Sequence, residues 1–212
     1  MSRTLTAGAL ACAMAATLAA GAAQEEGWTP LFDGETLEGW RVSENPDSVV
    51  VEDGAIVTRG PRAHVFYAGP VQEHDFESFE LKLEVKTEPG ANAGVYFHTE
   101  YQESGWPAKG YEAQVNNSHS DWRRTGSLYA VDDVRETPVG DGEWWEYHIS
   151  VQGRRILLKV NGETTVDYTE PEDVQRPEEM AGRVLSSGTF ALQCHDPESV
   201  VHFRNIRVRP LD

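Results

Sequence analysis

Residues 94–101 read GVYFHTEY and residues 110–117 read GYEAQVNN, two runs whose side chains change character at every step. A period of two belongs to the β-strand, where successive side chains leave on opposite faces. Val95 and Phe97 share one face, leaving Tyr96, His98 and Glu100 on the other; Tyr111, Ala113 and Val115 oppose Glu112, Gln114 and Asn116. The apolar faces require a core. The polar faces collect short-reach donors, acceptors and titratable groups, which is not the recipe for a merely solvated strand. That recipe appears at 79–86, FELKLEVK, where Phe79, Leu81, Leu83 and Val85 alternate with Glu80, Lys82, Glu84 and Lys86.

Strand signals continue along the chain. VVVEDGAIVTRG (49–60) sets Asp53-Gly54 between two β-branched runs, and ILLKVNGETTVDY (156–168) sets Asn161-Gly162 in the same role. Such pairs favour type I′ hairpins, whose central residues both need positive φ. WWEYHISVQGRRILLKV (144–160) turns at Gln152-Gly153. Many short strands without a long amphipathic helix predict an all-β fold, two antiparallel sheets packed as a sandwich or jelly roll. Two polar loops interrupt the strands, YQESGWPAKG (101–110) and NSHSDWRRTG (117–126), each carrying a tryptophan. The acidic, proline-punctuated stretch EPEDVQRPEEMAGRVLSSG (170–188) reads as a surface excursion with one helical turn.

The first 23 residues hold one Arg, an Ala/Leu run and a small-residue terminus, Gly21-Ala22-Ala23, the pattern of a secretory signal peptide. The residues that follow, 24–212, are predicted to form one exported, soluble domain, periplasmic or extracellular. About 190 residues suffice for one well-buried core. Cleavage removes Cys12 and leaves Cys194, so no intrachain disulfide can form. The formal net charge is −17 before the loss of Arg3. Nucleic acid and anionic membrane are disfavoured partners, because both reward clustered Lys and Arg. A neutral ligand suits this field, and the sequence sets no oligomeric state.

Along GTFALQCHD (188–196), Phe190, Leu192 and Cys194 share one side, and Ala191, Gln193 and His195 the other. A third strand thus offers Gln and His on its polar face. If these strands share a sheet, His98, Glu112, Gln114, Gln193 and His195 line one groove. Glu112 is the first candidate for general acid/base, since a carboxyl among amides and aromatics can be tuned by desolvation. His195 is the second, with Asp196 beside it. Trp106 and Trp122 are candidates for stacking on sugar rings, and Tyr129 for reaching the groove. His98, His195 and Glu112 are suitable ligand types for a divalent ion, although no tight ligand spacing appears. Cys194 reads as a small buried hydrophobe.

The segments WTPLFDGETLEGW (28–40), VEDGAIV (51–57), FELKLEVKTEPGANAGVYF (79–97), GYEAQV (110–115), TGSLYAV (125–131), GEWWEYHISVQG (142–153), LKVNGETTVDY (158–168), GTFALQCHD (188–196) and VHFRNIRVRPL (201–211) occur in the order that resembles the 3-keto-disaccharide hydrolase domain family. The resemblance implies a concanavalin A-like sandwich with a polar concave face, and an exported enzyme acting on 3-keto-glycosides. A ketone at C3 acidifies the C2 hydrogen, so one base can expel the C1 substituent by elimination, after which water adds. The base would be Glu112 or His195, with His98 and Gln114 on the enolate oxygen, a divalent ion as a possible aid, and Tyr96, Asn116, Tyr129, Gln193, Asp196, Trp106 and Trp122 binding the sugar. Many members carry Arg where this chain has His98. Two other readings stay open: a carbohydrate-binding module without chemistry, and a conventional glycosidase pairing Glu112 with Glu100 or Asp196. At the N-terminus, mass spectrometry of exported protein is expected to show a chain beginning at or near Gln24; a retained leader, or lipid on Cys12, contradicts this.

Overall fold

The computed structural model describes residues 26–211, so the leader read at residues 1–23 lies outside the described residues. Its strands in chain order are β1 (Thr29–Pro30), β2 (Trp40–Val42), β3 (Val49–Glu52), β4 (Ala55–Thr58), β5 (Ala63–Tyr67) and β6 (Phe79–Thr87). They continue with β7 (Ala93–Thr99), β8 (Tyr111–Val115), β9 (Trp145–Gln152), β10 (Arg155–Val160), β11 (Glu163–Thr169), β12 (Thr189–Cys194) and β13 (Val201–Pro210). An eight-stranded sheet runs β11-β10-β9-β6-β13-β4-β3 with β1 also paired to β13, and a five-stranded sheet runs β2-β5-β12-β7-β8. Every pairing is antiparallel. This is the predicted jelly-roll sandwich. No described helix is long and apolar enough to cross a membrane.

Two hairpins form where the turn chemistry puts them, while the third, expected at Gln152-Gly153, turns one residue later at Gly153-Arg154, because Gln152 stays in the ladder opposite Arg155. Asp53 and Gly54 have φ of 49° and 77°, and Asn161 and Gly162 have 48° and 81°, the double positive values of type I′ turns. The two sheets then bury their facing sides together. Phe79, Leu81, Leu83 and Val85 of β6 meet Phe97, Tyr111, Ala113 and Val115 of the small sheet in one core, with Phe190, Leu192 and Cys194. Burial pushes the Cys194 thiol up to about 11, as befits a buried hydrophobe. Of the adjacent tryptophans, Trp145 enters the core while Trp144 stays outside under the Arg204 guanidinium, 3.9 Å from its ring centroid.

The outward faces of the two sheets differ. In β6 every second residue is partly exposed, the simple alternation of a half-buried strand. In β5, β7, β8 and β12 every residue is buried. The small sheet is therefore covered on its polar face as well. Residues 101–110, 117–136 and 170–188 run where the cover must be, and this positions the site.

One strand departs from simple alternation. Thr189 and Ala191 of β12 pair with Thr99 and Tyr96 of β7, so β7 spends an extra residue there and forms a bulge. His98 sits in it with φ of 55°. Its backbone is pressed between glycines: a Cβ on Gly110 would lie 2.2 Å from the Phe97 carbonyl oxygen, and one on Gly188 2.3 Å from that of Thr99. Both positions also have positive φ, so glycine is required twice over.

Phe79 is the hinge of the aromatic core, 4.9 Å from Phe190, 6.0 Å from Phe97 and fully buried. Phe79→Ala is expected to cost about 3–5 kcal/mol in denaturant unfolding, seen as a lower midpoint at unchanged slope.

Candidate functional site

The polar face of the small sheet floors a cavity of about 420 Å³. Tyr96, Trp106, Glu112, Gln114, Tyr129, Gln193 and His195 all line it, so seven of the residues singled out in the sequence converge. Register explains the convergence. Tyr96 pairs with Glu112 across β7 and β8, and with Ala191 across β7 and β12, so side chains of one parity on the neighbouring strands emerge together. Tyr129 joins by backbone pairing, its N–H donating to the Glu112 carbonyl at 2.9 Å.

Glu112 lies at the centre with 4% exposure. A carboxylate so placed needs partners, and it has them. The Arg183 guanidinium donates to Oε2 at 3.2 Å, and the Gln193 amide donates to Oε1 at 3.1 Å and to the Tyr96 hydroxyl oxygen at 3.0 Å. Burial pushes the Tyr96 phenol well above its ordinary value, and Glu112 adds to this, so the phenol stays protonated. The Glu112 side chain lies flat on Gly94, where a Cβ would come within 2.5 Å of its Oε1. Gln114 donates to Asn92 Oδ1 at 2.9 Å, an acceptor the sequence reading did not select.

Arg183 is the main residue that reading missed. It belongs to the 170–188 stretch, which closes the site instead of forming a detached surface excursion. Glu170 anchors that stretch: it accepts from the Tyr111 hydroxyl and from the Leu185 N–H at 3.1 Å. Arg176 bridges the Tyr111 and Tyr168 hydroxyls, each at 2.9 Å, and donates to the Arg183 carbonyl at 2.8 Å. Gly182 touches the 101–110 loop, accepting from Gly110 N–H at 2.9 Å and leaving no room for a Cβ against Ala108. No local pattern distinguishes Arg183 from any other arginine of an acidic loop; only the docking of the loop reveals it.

His195 forms the other wall. Its Nδ1 sits 2.7 Å from Asp196 Oδ2. Asp196 does not line the cavity. It is fixed by the Ser199 hydroxyl at 2.8 Å and the Glu198 N–H at 2.8 Å. Burial alone would raise the Asp196 carboxyl, but the hydrogen bonds from His195, Ser199 and Glu198 outweigh it and hold the carboxyl below its usual range. The ionised Asp196 orients the imidazole and leaves Nε2 for the cavity. The Trp106 ring leans on His195 with centroids 5.2 Å apart.

Besides Asp196, five expectations need correction. His98 does not share the cavity with Glu112: the bulge turns its ring inward against Phe79, and it spans the Glu77 carbonyl at 2.9 Å and the Ser186 N–H at 3.2 Å. Burial pulls its basicity down. Asn116 holds the 117–126 loop, donating to the Asp121 and Arg123 carbonyls at 3.0 and 2.7 Å. Trp122 lies outside the cavity, flanked by Arg123 and Arg135. Glu100 pairs with Lys109 away from the cavity, which removes it as a second carboxylate beside Glu112. With His98 in the core, the three residues named as ion ligands are not brought together. Among the described residues no group of three His, Cys, Asp or Glu side chains is arranged to hold a metal.

Several polar atoms on the cavity floor and wall have no protein partner: Arg183 Nη1, Gln114 Oε1 and Gln193 Oε1. Each is shielded from solvent by its neighbours, so a hydroxyl-rich ligand would meet them only as those side chains shift. Gly94→Ala is expected to lower the melting temperature by several degrees and carbohydrate turnover about tenfold or more, because the added methyl group forces the buried Glu112 carboxylate away from Arg183 and Gln193. Thermal melts and initial rates on one preparation check both halves.

Residues 27–209 match the family described as the 3-keto-alpha-glucoside-1,2-lyase-like domain. A protein of Bacteroides thetaiotaomicron called 3-keto-disaccharide hydrolase is 26% identical over 88% of this chain and 79% of its own length. A crystal structure of a candidate glycosyl hydrolase from Parabacteroides distasonis superposes with a TM-score of 0.74 at 24% identity, covering 88% of this chain and 95% of that one. The endo-β-1,3(4)-glucanase SCLam shares the fold with a TM-score of 0.55 at 14% identity, over 88% of this chain and 92% of that one. The sheet order, the covered polar face and the near full-length match lead to one assignment: the chain belongs to the 3-keto-alpha-glucoside-1,2-lyase-like domain family.

Proposed function

We propose that this protein cleaves 3-keto-glycosides, 3-keto-disaccharides among them, by elimination followed by hydration, after export. The observation that carries the reading is an aspartate-held imidazole, Asp196–His195 at 2.7 Å, on the same cavity as the unpartnered Nη1 of Arg183. Elimination next to a ketone needs one base and one oxyanion donor, and these two groups have those characters.

In this mechanism His195 Nε2 takes the proton from C2, and negative charge moves to the C3 oxygen. Arg183, braced by Glu112, and the Gln114 amide hydrogen-bond that oxygen. As the C1–O bond breaks, C1=C2 forms and the departing oxygen takes the proton from His195. Water then adds its hydroxyl to C1 and its hydrogen to C2. Glu112 acts mainly by holding Arg183 and Gln193 in place, because both of its oxygens already accept from them. This moves the base from the pair Glu112 or His195 to His195, and the donor role expected of His98 to Arg183. Trp106 and Tyr129 supply faces for the sugar rings.

His195→Gln is expected to lower turnover on the order of a hundred to ten-thousand-fold while binding survives. The comparison uses wild type and variant on 3-keto-disaccharides and their unoxidised parents, followed by NMR for an unsaturated 3-keto intermediate. Equal turnover of the parents would mean an ordinary glycosidase, and binding without turnover of either a carbohydrate-binding module.

A further inference from the structure

His64 of β5 is not among the residues assigned above, yet it belongs to the same face. It pairs in register with Gln193 of β12, so the two side chains emerge side by side. The ring is fully buried, and neither Nδ1 nor Nε2 has a hydrogen-bond partner. Aromatic rings enclose it: Tyr96 at 5.5 Å and 83°, Phe66 at 6.1 Å, and Trp106 at 5.7 Å and 82°. Tyr96 and Trp106 both line the cavity, so His64 lies one ring's thickness from it.

An imidazole buried without partners costs about 1–3 kcal/mol for each unsatisfied group, which a phenylalanine in the same apolar surroundings would avoid. Burial pulls its basicity down to about 3, with Arg62 and His195 also opposing the charged form and Glu44 favouring it. It is therefore a neutral ring with one donor and one acceptor, matched to a sugar hydroxyl, which is both. Trp106, 45% exposed, both packs edge-on against the His64 ring and lines the cavity. Gln102 Nε2 donates to the Ser104 and Trp106 carbonyls at 2.7 and 2.8 Å, and Gln102 Oε1 accepts from Ala108 N–H at 3.0 Å. The loop backbone is anchored to the rest of the protein by Gly110 N–H to the Gly182 carbonyl at 2.9 Å, Glu44 N–H to the Glu103 carbonyl at 3.1 Å and Gly105 N–H to Glu44 at 3.3 Å, whereas the Trp106 indole itself is held by ring contacts, with His195 at 5.2 Å and the Arg62 guanidinium 4.9 Å from its centroid.

We propose that Trp106 is a movable cover over His64, and that His64 is a ligand-contacting residue of this site, hydrogen-bonding a carbohydrate hydroxyl once the cover tilts away. The ligand class rests on the function proposed above; the uncovering of His64 does not.

The test follows carbethoxylation of each histidine by diethyl pyrocarbonate with mass spectrometry, in wild type, Trp106→Ala and His64→Phe. A 3-keto-disaccharide and its unoxidised parent are titrated calorimetrically on the same proteins. His64 is expected to react slowly in wild type and about tenfold or more faster in Trp106→Ala, and to be protected by the bound sugar. His64→Phe is expected to melt at the same or a higher temperature yet bind about tenfold more weakly, the size of one lost hydrogen bond. A merely structural histidine would give the reverse, a lower melting temperature at unchanged affinity. That pattern, or a His64 inert even in Trp106→Ala, overturns the proposal. Should wild type bind neither sugar, the carbohydrate reading fails, and carbethoxylation alone still decides whether Trp106 uncovers His64.

Discussion

A carboxylate buried on the face of a β-sheet is the constraint around which the rest of this site is arranged. Taking Glu112 out of water costs several kcal/mol unless its charge is matched and its oxygens are hydrogen-bonded. Arg183 and Gln193 meet that demand, one from an irregular loop and one from the same sheet two strands away. Gly94 meets a third by leaving room beneath the side chain. The loop can deliver Arg183 only because Glu170, Arg176 and Tyr111 pin it to the sheet edge. Sheet register and loop docking are thus coupled through a single charge.

The two sheets show how one sequence rule leads to two outcomes. Alternation in β6 yields a face in water, where Glu80, Lys82, Glu84 and Lys86 have neighbours such as Arg209 and Arg204. The same alternation in β7, β8 and β12 yields a face under loops, and there each polar group must find a partner or be left for a ligand. Most find one. Of the eight buried side-chain atoms left without a partner among the described residues, five, Arg183 Nη1, Gln114 Oε1, Gln193 Oε1 and both nitrogens of His64, gather at this one face. A stable protein tolerates such deficits where binding supplies the missing partners.

Fold alone does not distinguish catalysis from recognition, since one sandwich architecture serves many functions. The cavity itself is asymmetric. One wall offers an imidazole oriented by an ionised aspartate, and the other a guanidinium braced by Glu112. A surface that only stacks and hydrogen-bonds sugars has little use for an imidazole and a guanidinium set on opposite walls in this way.

The sequence by itself determined the strands, their hairpin turns and the parity of their faces, because each depends on near neighbours: Asp53-Gly54 and Asn161-Gly162 on local φ, Phe190 and Gln193 on a period of two. It therefore also determined most of the cavity floor, Tyr96, Glu112, Gln114 and Gln193, and the flanking His195, Trp106 and Tyr129. Only the tertiary structure decided the rest. Parity fails at His98, where a bulge held between Gly110 and Gly188 turns the ring into the core, and those glycines lie far from it in sequence. Asn116 has the right parity but is taken up by its own loop. Arg183 and His64 acquire their places in the site from what packs against them, Glu112 in one case and Trp106 in the other. Contacts between distant segments are set by how the chain closes on itself, and no local pattern of residues encodes them.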